Sequence, residues 1–176
     1  LTFAKGFSGG LIPFGGYICT EELYEAAYGS IETCFHHTAT YQENGISAAA
    51  GLASLQYILD NHLIEAAAEK GEYFISELKK IQEKYPKIIK EVRGKGLMIG
   101  MEFYEVPDGY KEGFGEYFAD PVNDALIDQY HIQVNHTINN PAVFRFLPPL
   151  TIKKEDIDYT LECFEKAVKM CEEHCK

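Results

Sequence analysis

A long stretch of helical periodicity between positions 46 and 85, broken only at Asp60-Asn61-His62, divides the chain into two parts that are richer in strand-forming residues. The first half of this stretch, 46–59, is rich in Ala and Leu, which favours a buried helix. In the second half Phe74 and Leu78 share one face, while Glu and Lys fill the other. The chain is therefore expected to fold as two strand-containing parts joined by long helices.

The first part combines a short strand with a glycine-rich loop. Leu1, Phe3 and Ala4 run directly into Lys5, and the following segment GFSGGLIPFGG holds five glycines and one proline. So many glycines suit a loop whose backbone approaches another group closely. The loop contains neither GxxxxGK[ST] nor GxGxxG, which disfavours Walker-type nucleotide binding.

The pattern of residues 88–176 predicts a small α+β unit. A hairpin is expected over 88–104 around Arg93-Gly94-Lys95-Gly96, and a helix over 121–130. Strands follow at 132–134 and 143–146, and Thr151 is expected to open the last helix. The predicted fold class is an α/β fragment over residues 1–60, a connecting helix over 61–87 and a small α+β domain over 88–176.

The charge balance and the hydropathy pattern exclude two classes of partner. A net charge of −11 argues against nucleic acid, which requires clustered Lys and Arg. No apolar run approaches the length of a membrane span, and residues 1–5 do not resemble a signal peptide. We therefore expect a cytoplasmic protein without membrane contact, and a chain that begins with Leu and no initiator Met looks cut from a longer polypeptide.

The cysteines do not indicate a metal site. Cys171, His174 and Cys175 are close in sequence, but two thiols and one imidazole leave a tetrahedral site incomplete. Leu161, Phe164, Cys171 and Cys175 recur at helical spacing, which makes the two cysteines small apolar residues of a buried stripe. We expect no metal ion.

Three sites are candidates for chemistry, each with a structural alternative. Lys5 at a strand end could be partly desolvated and form a Schiff base, or be an ordinary surface lysine. Thr38, Thr40 and Ser47 could hold a phosphate group beside the helix that begins near Ile46, or simply cap that helix. Arg145 could bind a carboxylate in a cleft or pair with a buried acid, because Phe144 and Phe146 point to the other face of its strand.

Four segments together resemble one family in its order along the chain. They are LTFAKGFSGGLIPFGG, HTATYQENGISAAAGLASL, VRGKGLMIGMEF and FRFLPPLTI, and they resemble the class-III (fold-type I) pyridoxal-phosphate-dependent aminotransferases. The run QVNHTINNPAVFRFLPPLTI is most similar to the putrescine and ornithine branch. The resemblance covers nearly the whole chain, but not the N-terminal half of the family, which supplies the main phosphate loop, the ring-stacking aromatic residue and the acid at the pyridine nitrogen.

The resemblance implies a role for one residue at each of the three candidate sites. Lys5 would be the catalytic Schiff-base lysine that binds pyridoxal 5'-phosphate, Thr40 the phosphate ligand offered to a neighbouring subunit, and Arg145 the clamp for the substrate carboxylate. It implies the C-terminal end of the large cofactor domain joined to the small domain, and a homodimer. The reaction would move an amino group from a diamine or ω-amino acid, such as putrescine or ornithine, to a 2-oxo acid such as 2-oxoglutarate.

Two departures from the family pattern accompany the resemblance. The family has Gly-Gly-Asn-Pro where this chain has Gln42-Glu43-Asn44-Gly45, which adds a negative charge near the expected phosphate. The family's N-terminal half is not matched, so the isolated 176-residue chain is expected to be inactive. Two other functions remain open at this point: a non-catalytic module used for assembly, and a different lysine Schiff-base enzyme of the same fold.

Overall fold

A computed structural model describes residues 1–175, which divide into two compact units, Leu1–His62 and the residues from Leu63 onward. The helices are α1 (Glu21–Tyr28), α2 (Gly45–Asp60), α3 (Leu63–Lys84), α4 (Ala119–Tyr130) and α5 (Lys154–His174). The strands are β1 (Thr2–Ala4), β2 (Gly15–Tyr17), β3 (Ile89–Lys95), β4 (Met98–Phe103), β5 (Asn135–His136) and β6 (Val143–Phe146). Within the described residues, every helix is too short or too polar to cross a membrane.

The first unit contains a two-stranded antiparallel sheet and two helices. β1 pairs with β2 so that Ala4 lies opposite Gly15 and Thr2 opposite Tyr17. Pairing therefore begins at Gly15, at the end of the glycine-rich loop that follows Ala4. The Thr20 side chain accepts a hydrogen bond from the Leu23 amide at 3.4 Å and thereby caps α1.

The prediction that α2 is buried is wrong for the described residues. Ile46 is 71% exposed and Tyr57 is 54% exposed, and Gly51 is the buried residue of the helix. A helix that is apolar on all sides needs cover on all sides to be buried. Within the first unit, the Phe14 ring covers the side that carries Gly51, while Ile46 and Tyr57 stay exposed.

The second unit is built on a four-stranded antiparallel sheet in the order β3-β4-β6-β5. The predicted hairpin is confirmed: β3 and β4 are joined by a tight turn in which Gly96 has a φ of +55°, a conformation that favours glycine. In register, Gly100 of β4 lies opposite both Arg93 of β3 and Arg145 of β6.

One face of this sheet carries the hydrophobic core. Ile99, Met101, Phe103, Phe144 and Phe146 are fully or nearly fully buried and belong to one cluster with residues from α3, α4 and α5. α3, predicted as the connecting helix, contributes Phe74, Leu78 and Ile81 to this core and so packs within the second unit. The predicted stripe of α3 is thereby confirmed, while the domain boundaries of the family fold stay a prediction.

Three predicted element boundaries of the second unit differ from the structure for local reasons. The helix predicted over 121–130 begins at Ala119, because proline is tolerated in the first turn of a helix and Pro121 lies within that turn. The strand predicted at 132–134 lies at Asn135–His136, because the Ile132 amide donates to the Leu126 carbonyl at 2.8 Å and closes α4 with His131 in the left-handed conformation. The last helix begins at Lys154 and not at Thr151, because Lys153 is still extended.

The cysteines near the end of the chain behave as apolar residues. Cys171 lies in the core of the second unit, and its burial raises the pKa of the thiol to about 12. Cys163 is buried in the same core. Among residues 1–175, no cluster of three or more His, Cys, Asp and Glu side chains could hold a metal ion.

Candidate active site

Lys5 stands where β1 ends and the glycine-rich loop begins. It opens a 3-10 helix, Lys5–Ser8, with a φ of +58°. A residue other than glycine rarely adopts this left-handed conformation, and the strain is often found at functional sites. The preceding residue, Ala4, is held by its pairing with Gly15. The backbone thus fixes the direction in which the Lys5 side chain leaves the strand.

An aromatic cluster holds the loop that follows Lys5. The rings of Phe3, Phe7 and Phe14 lie with centroids 4.5 to 5.8 Å apart. Phe14 also reaches α2, where a Cβ added to Gly51 would come within 2.5 Å of its ring. Ser8 is buried and donates a hydrogen bond to the Ile12 carbonyl at 2.5 Å. The loop is therefore packed locally, despite its five glycines.

The Lys5 side chain is exposed and makes no hydrogen bond or ion pair within residues 1–175. The described residues therefore do not supply the partial desolvation that the sequence argument required. They also leave the amine without a competing carboxylate, which suits a group that must attack a carbonyl carbon.

Thr40 lies in an exposed turn that precedes α2. The cap of α2 is Asn44, whose Oδ1 accepts hydrogen bonds from the Ile46 amide at 3.0 Å and the Ser47 amide at 3.1 Å. Asparagine before an apolar helix is a common capping signal, which the sequence analysis did not use. Since Asn44 satisfies the helix terminus, the Thr40 hydroxyl is not needed for capping.

Glu43 occupies a strained position beside Thr40. Its φ is +61°, which is the left-handed conformation. A glycine, as in the family pattern, adopts this conformation without the steric penalty of a Cβ. The backbone at Glu43 thus has the left-handed conformation that the family's glycine would favour, although this chain has a glutamate there.

The turn that carries Thr40 borders an aromatic cleft of the first unit. Its neighbours Ala39 and Tyr41 line a cavity of about 480 Å³. The other lining residues are Gly15, Gly16, Tyr17, Tyr24, Tyr28, Cys34, His37 and Gln42. Burial and the neighbouring Tyr28 raise the pKa of the Tyr17 phenol.

Arg145 lies on β6, which is paired on both sides. Its neighbours across the sheet are Gly100 on β4 and Asn135 on β5. Phe144 and Phe146 point into the core, as predicted, while the Arg145 side chain is exposed on the opposite face. It lines a cleft of about 270 Å³ with, among others, Asn135, Leu147 and Pro148.

No acidic side chain within residues 1–175 forms an ion pair with Arg145. The described residues therefore do not support the alternative interpretation, in which Arg145 pairs with a buried acid. A guanidinium that stands free on a rigid strand and beside a cleft can bind a carboxylate through two parallel hydrogen bonds.

The same sheet carries a cluster of charged side chains that the sequence analysis did not identify. Lys90 and Arg93 both bond to Glu102 of β4, at 2.7 and 2.8 Å. Arg93 also bonds to Glu91 at 2.6 Å. The signal in the sequence was the alternation of charged and apolar residues in β3 and β4, which places the charged side chains on one face of the sheet.

The structure thus places Lys5 and Thr40 in the first unit and Arg145 in the second. The described residues supply an amine and a hydroxyl without competing partners, and these fit the aldehyde and the phosphate group of pyridoxal phosphate by their chemistry. The negative charge of Glu43, three residues after Thr40, does not favour a phosphate.

The match to a family model identifies the class of protein. Residues 1–168 match the model of the class-III aminotransferases. The chain therefore belongs to this family of pyridoxal-phosphate-dependent transferases, and its mixed α/β architecture matches the C-terminal part of the fold-type I enzymes.

Individual relatives agree with this assignment. The chain is 54% identical over 168 residues to an uncharacterized aminotransferase of Schizosaccharomyces pombe, covering 96% of this chain and 35% of that protein. An (S)-enantioselective omega-transaminase from Thermomicrobium roseum has a TM-score of 0.80 at 30% identity, with 97% of this chain and 37% of that chain covered. An adenosylmethionine-8-amino-7-oxononanoate aminotransferase from Methanocaldococcus jannaschii has a TM-score of 0.77 at 28% identity, with 96% and 38% covered. The chain spans little more than a third of the length of these relatives.

Proposed function

We propose that the full-length protein transfers an amino group from a diamine or ω-amino acid, such as putrescine or ornithine, to a 2-oxo acid such as 2-oxoglutarate. Family membership supports amino-group transfer in general. The proposal of a 2-oxo acid acceptor is supported by Arg145, a free guanidinium beside a cleft of about 270 Å³. The donor class rests on the sequence resemblance to the putrescine and ornithine branch.

Lys5 is the proposed catalytic residue. Pyridoxal phosphate, when bound, supplies the electron sink that stabilises charge at the carbon bearing the amino group. The Lys5 Nζ would hold the cofactor covalently in the resting enzyme. Once the donor amine has displaced it from the cofactor, the freed Nζ would accept a proton from the donor carbon and return it later in the reaction, as a general base and acid.

Arg145 and Thr40 are the proposed binding residues. Arg145 would orient the acceptor by a bidentate bond to its carboxylate, which excludes other orientations of the 2-oxo group. The Thr40 hydroxyl would donate a hydrogen bond to a phosphate oxygen of the cofactor in a neighbouring subunit. A homodimer and a cytoplasmic location are part of the proposal.

The test of Lys5 is covalent trapping in the full-length polypeptide. Borohydride reduction in the presence of pyridoxal phosphate should fix a pyridoxyl group on Lys5 alone, as located by peptide mapping. Lys5→Ala should lose both the adduct and transamination, while Lys79→Ala, on the exposed side of α3, should retain both. An adduct on another lysine, or turnover by Lys5→Ala, contradicts the assignment.

The test of Arg145 compares the two half-reactions. Loss of a charge-assisted bidentate contact costs about 2–4 kcal/mol, so Arg145→Ala should lower kcat/KM for 2-oxoglutarate roughly 30- to 1000-fold. The half-reaction with putrescine, which has no carboxylate, should change far less. Unchanged 2-oxoglutarate kinetics together with a large drop in Tm would show that Arg145 has a structural role only.

A further inference from the structure

Glu102 is an acidic residue close to Arg145 on the exposed face of the second unit's sheet. Val143 lies directly opposite Glu102, and Gly100 directly opposite Arg145. Glu102 and Arg145 are therefore diagonal neighbours on one face, a separation of about 7–8 Å that long side chains can bridge. Even so, the two side chains form no ion pair within the described residues.

Two other cations occupy both oxygens of the Glu102 carboxylate. Lys90 Nζ bonds to Oε1 at 2.7 Å, and Arg93 Nη1 bonds to Oε2 at 2.8 Å. The Glu102 side chain is only 13% exposed, so little of it remains open to another partner. The bonds from Lys90 and then Arg93 also lower the pKa of the Glu102 carboxyl, which keeps it ionised.

The path of the Arg93 side chain crosses the sheet toward Glu102. A Cβ built on Gly100 would lie 3.7 Å from Arg93 Cγ and 3.9 Å from Arg93 Nε. The aliphatic part of Arg93 therefore covers Gly100, the residue opposite Arg145. Arg93 also bonds to Glu91, which lies directly opposite Glu102, so one guanidinium bridges two facing carboxylates and reduces their mutual repulsion.

We infer that Lys90 and Arg93 are positioning residues, which hold the Glu102 carboxylate away from Arg145 and so leave the Arg145 guanidinium free for the substrate carboxylate. This inference rests on the proposed role of Arg145. Without Arg93, Oε2 of Glu102 loses its partner and the Glu91–Glu102 pair loses its bridging cation. Arg145 then has an internal carboxylate to bind, in competition with the substrate.

The decisive experiment uses the full-length holoenzyme and the variant Arg93→Met, which retains the aliphatic cover of Gly100. An exposed ion pair is worth up to about 1 kcal/mol, so competition from Glu102 should raise KM for 2-oxoglutarate about two- to fivefold. The value of kcat should not change, because the bound substrate makes the same contacts as before. The putrescine half-reaction should not change either.

A double variant separates competition from damage to the fold. Arg93→Met combined with Glu102→Gln removes the competing carboxylate and should return KM for 2-oxoglutarate to the wild-type value. Lys90→Met, which frees Oε1 instead, should raise KM in the same direction. Lys166→Met, which removes one positive charge from an exposed pair on α5, is the matched control and should have no effect.

Each outcome decides between the inference and the proposed function. If Arg145→Ala raises KM for 2-oxoglutarate but Arg93→Met and Lys90→Met do not, the inference is wrong and the role of Arg145 stands. If Arg145→Ala itself has no effect, the proposed role of Arg145 fails first. If the double variant stays as impaired as Arg93→Met, the effect does not pass through Glu102, and the inference is again overturned.

Discussion

Gly71 of α3 lies against the β3–β4 turn so closely that no side chain fits between them. A Cβ added to Gly71 would lie 2.5 Å from the Cα of Gly96 and closer still to its carbonyl group. Both groups are backbone, so neither can move aside as a flexible side chain would. Ordinary contacts begin at 3.4 Å, and Gly71→Ala therefore forces the helix and the turn apart by about 1 Å.

Two opposing effects set the magnitude of this substitution. Alanine favours the helix over glycine by about 1 kcal/mol. Overpacking a dense core costs about 1–3 kcal/mol and occasionally more, and a backbone obstacle places this site at the upper end. We expect a net loss of about 2 kcal/mol in the free energy of unfolding, which corresponds to a fall in Tm of about 8–15 °C for a unit of this size.

The assay is thermal unfolding of the purified chain, followed by far-UV circular dichroism, with amide hydrogen exchange as the local readout. The amides of β3 and β4 next to the turn should exchange faster in Gly71→Ala. Gly109→Ala is the matched control in the same unit, since its added Cβ would meet nothing within 4 Å. A Tm for Gly71→Ala equal to or above that of the wild type would refute the steric argument, because helix propensity would then outweigh the contact.

Two further substitutions test other local features of the structure. Glu43→Gly should raise the free energy of unfolding by about 0.5–1 kcal/mol, because glycine removes the strain of the left-handed backbone and this gain exceeds its entropic cost. Glu43→Ala retains the strain and should not be stabilised, and urea denaturation distinguishes the two variants. Glu102→Gln should destabilise the second unit by about 1 kcal/mol at neutral pH. Since its partners lower the Glu102 pKa, that stabilisation is present above the ordinary glutamate pKa of about 4.3 and is lost as the pH falls through the lower pKa of the folded state. The difference between wild type and Glu102→Gln should therefore vanish in acid, and a pH-independent difference between their Tm values contradicts this assignment.

The second unit was largely predictable because its signals are local. The glycine turn after Arg93 and the stripe of α3 depend on residues close in sequence, and both are confirmed. The helix-closing hydrogen bond of Ile132 was not foreseen, since it requires His131 to adopt the left-handed conformation, which histidine rarely does. The strand in this region was displaced for that reason.

The first unit was less predictable because burial depends on what covers a surface. The composition of α2 correctly indicates a helix, but it cannot say which residues face a neighbour. The same limit applies to Lys5, whose expected desolvation requires other groups around the amine. The residue type, strand-end position and glycine-rich loop were readable from the sequence, whereas the left-handed backbone of Lys5 was not.

On the strand that carries Arg145, consecutive residues are under different constraints. Phe144 and Phe146 are constrained by the packing of the core, whereas Arg145, between them, faces outward from a strand held on both sides. Substitutions at position 145 can therefore change the chemistry of this outer face without disturbing the hydrophobic interior. A combinatorial library that randomises only this outward position should yield mostly folded variants, and under the proposed role of Arg145 such a library is a route to a new acceptor preference.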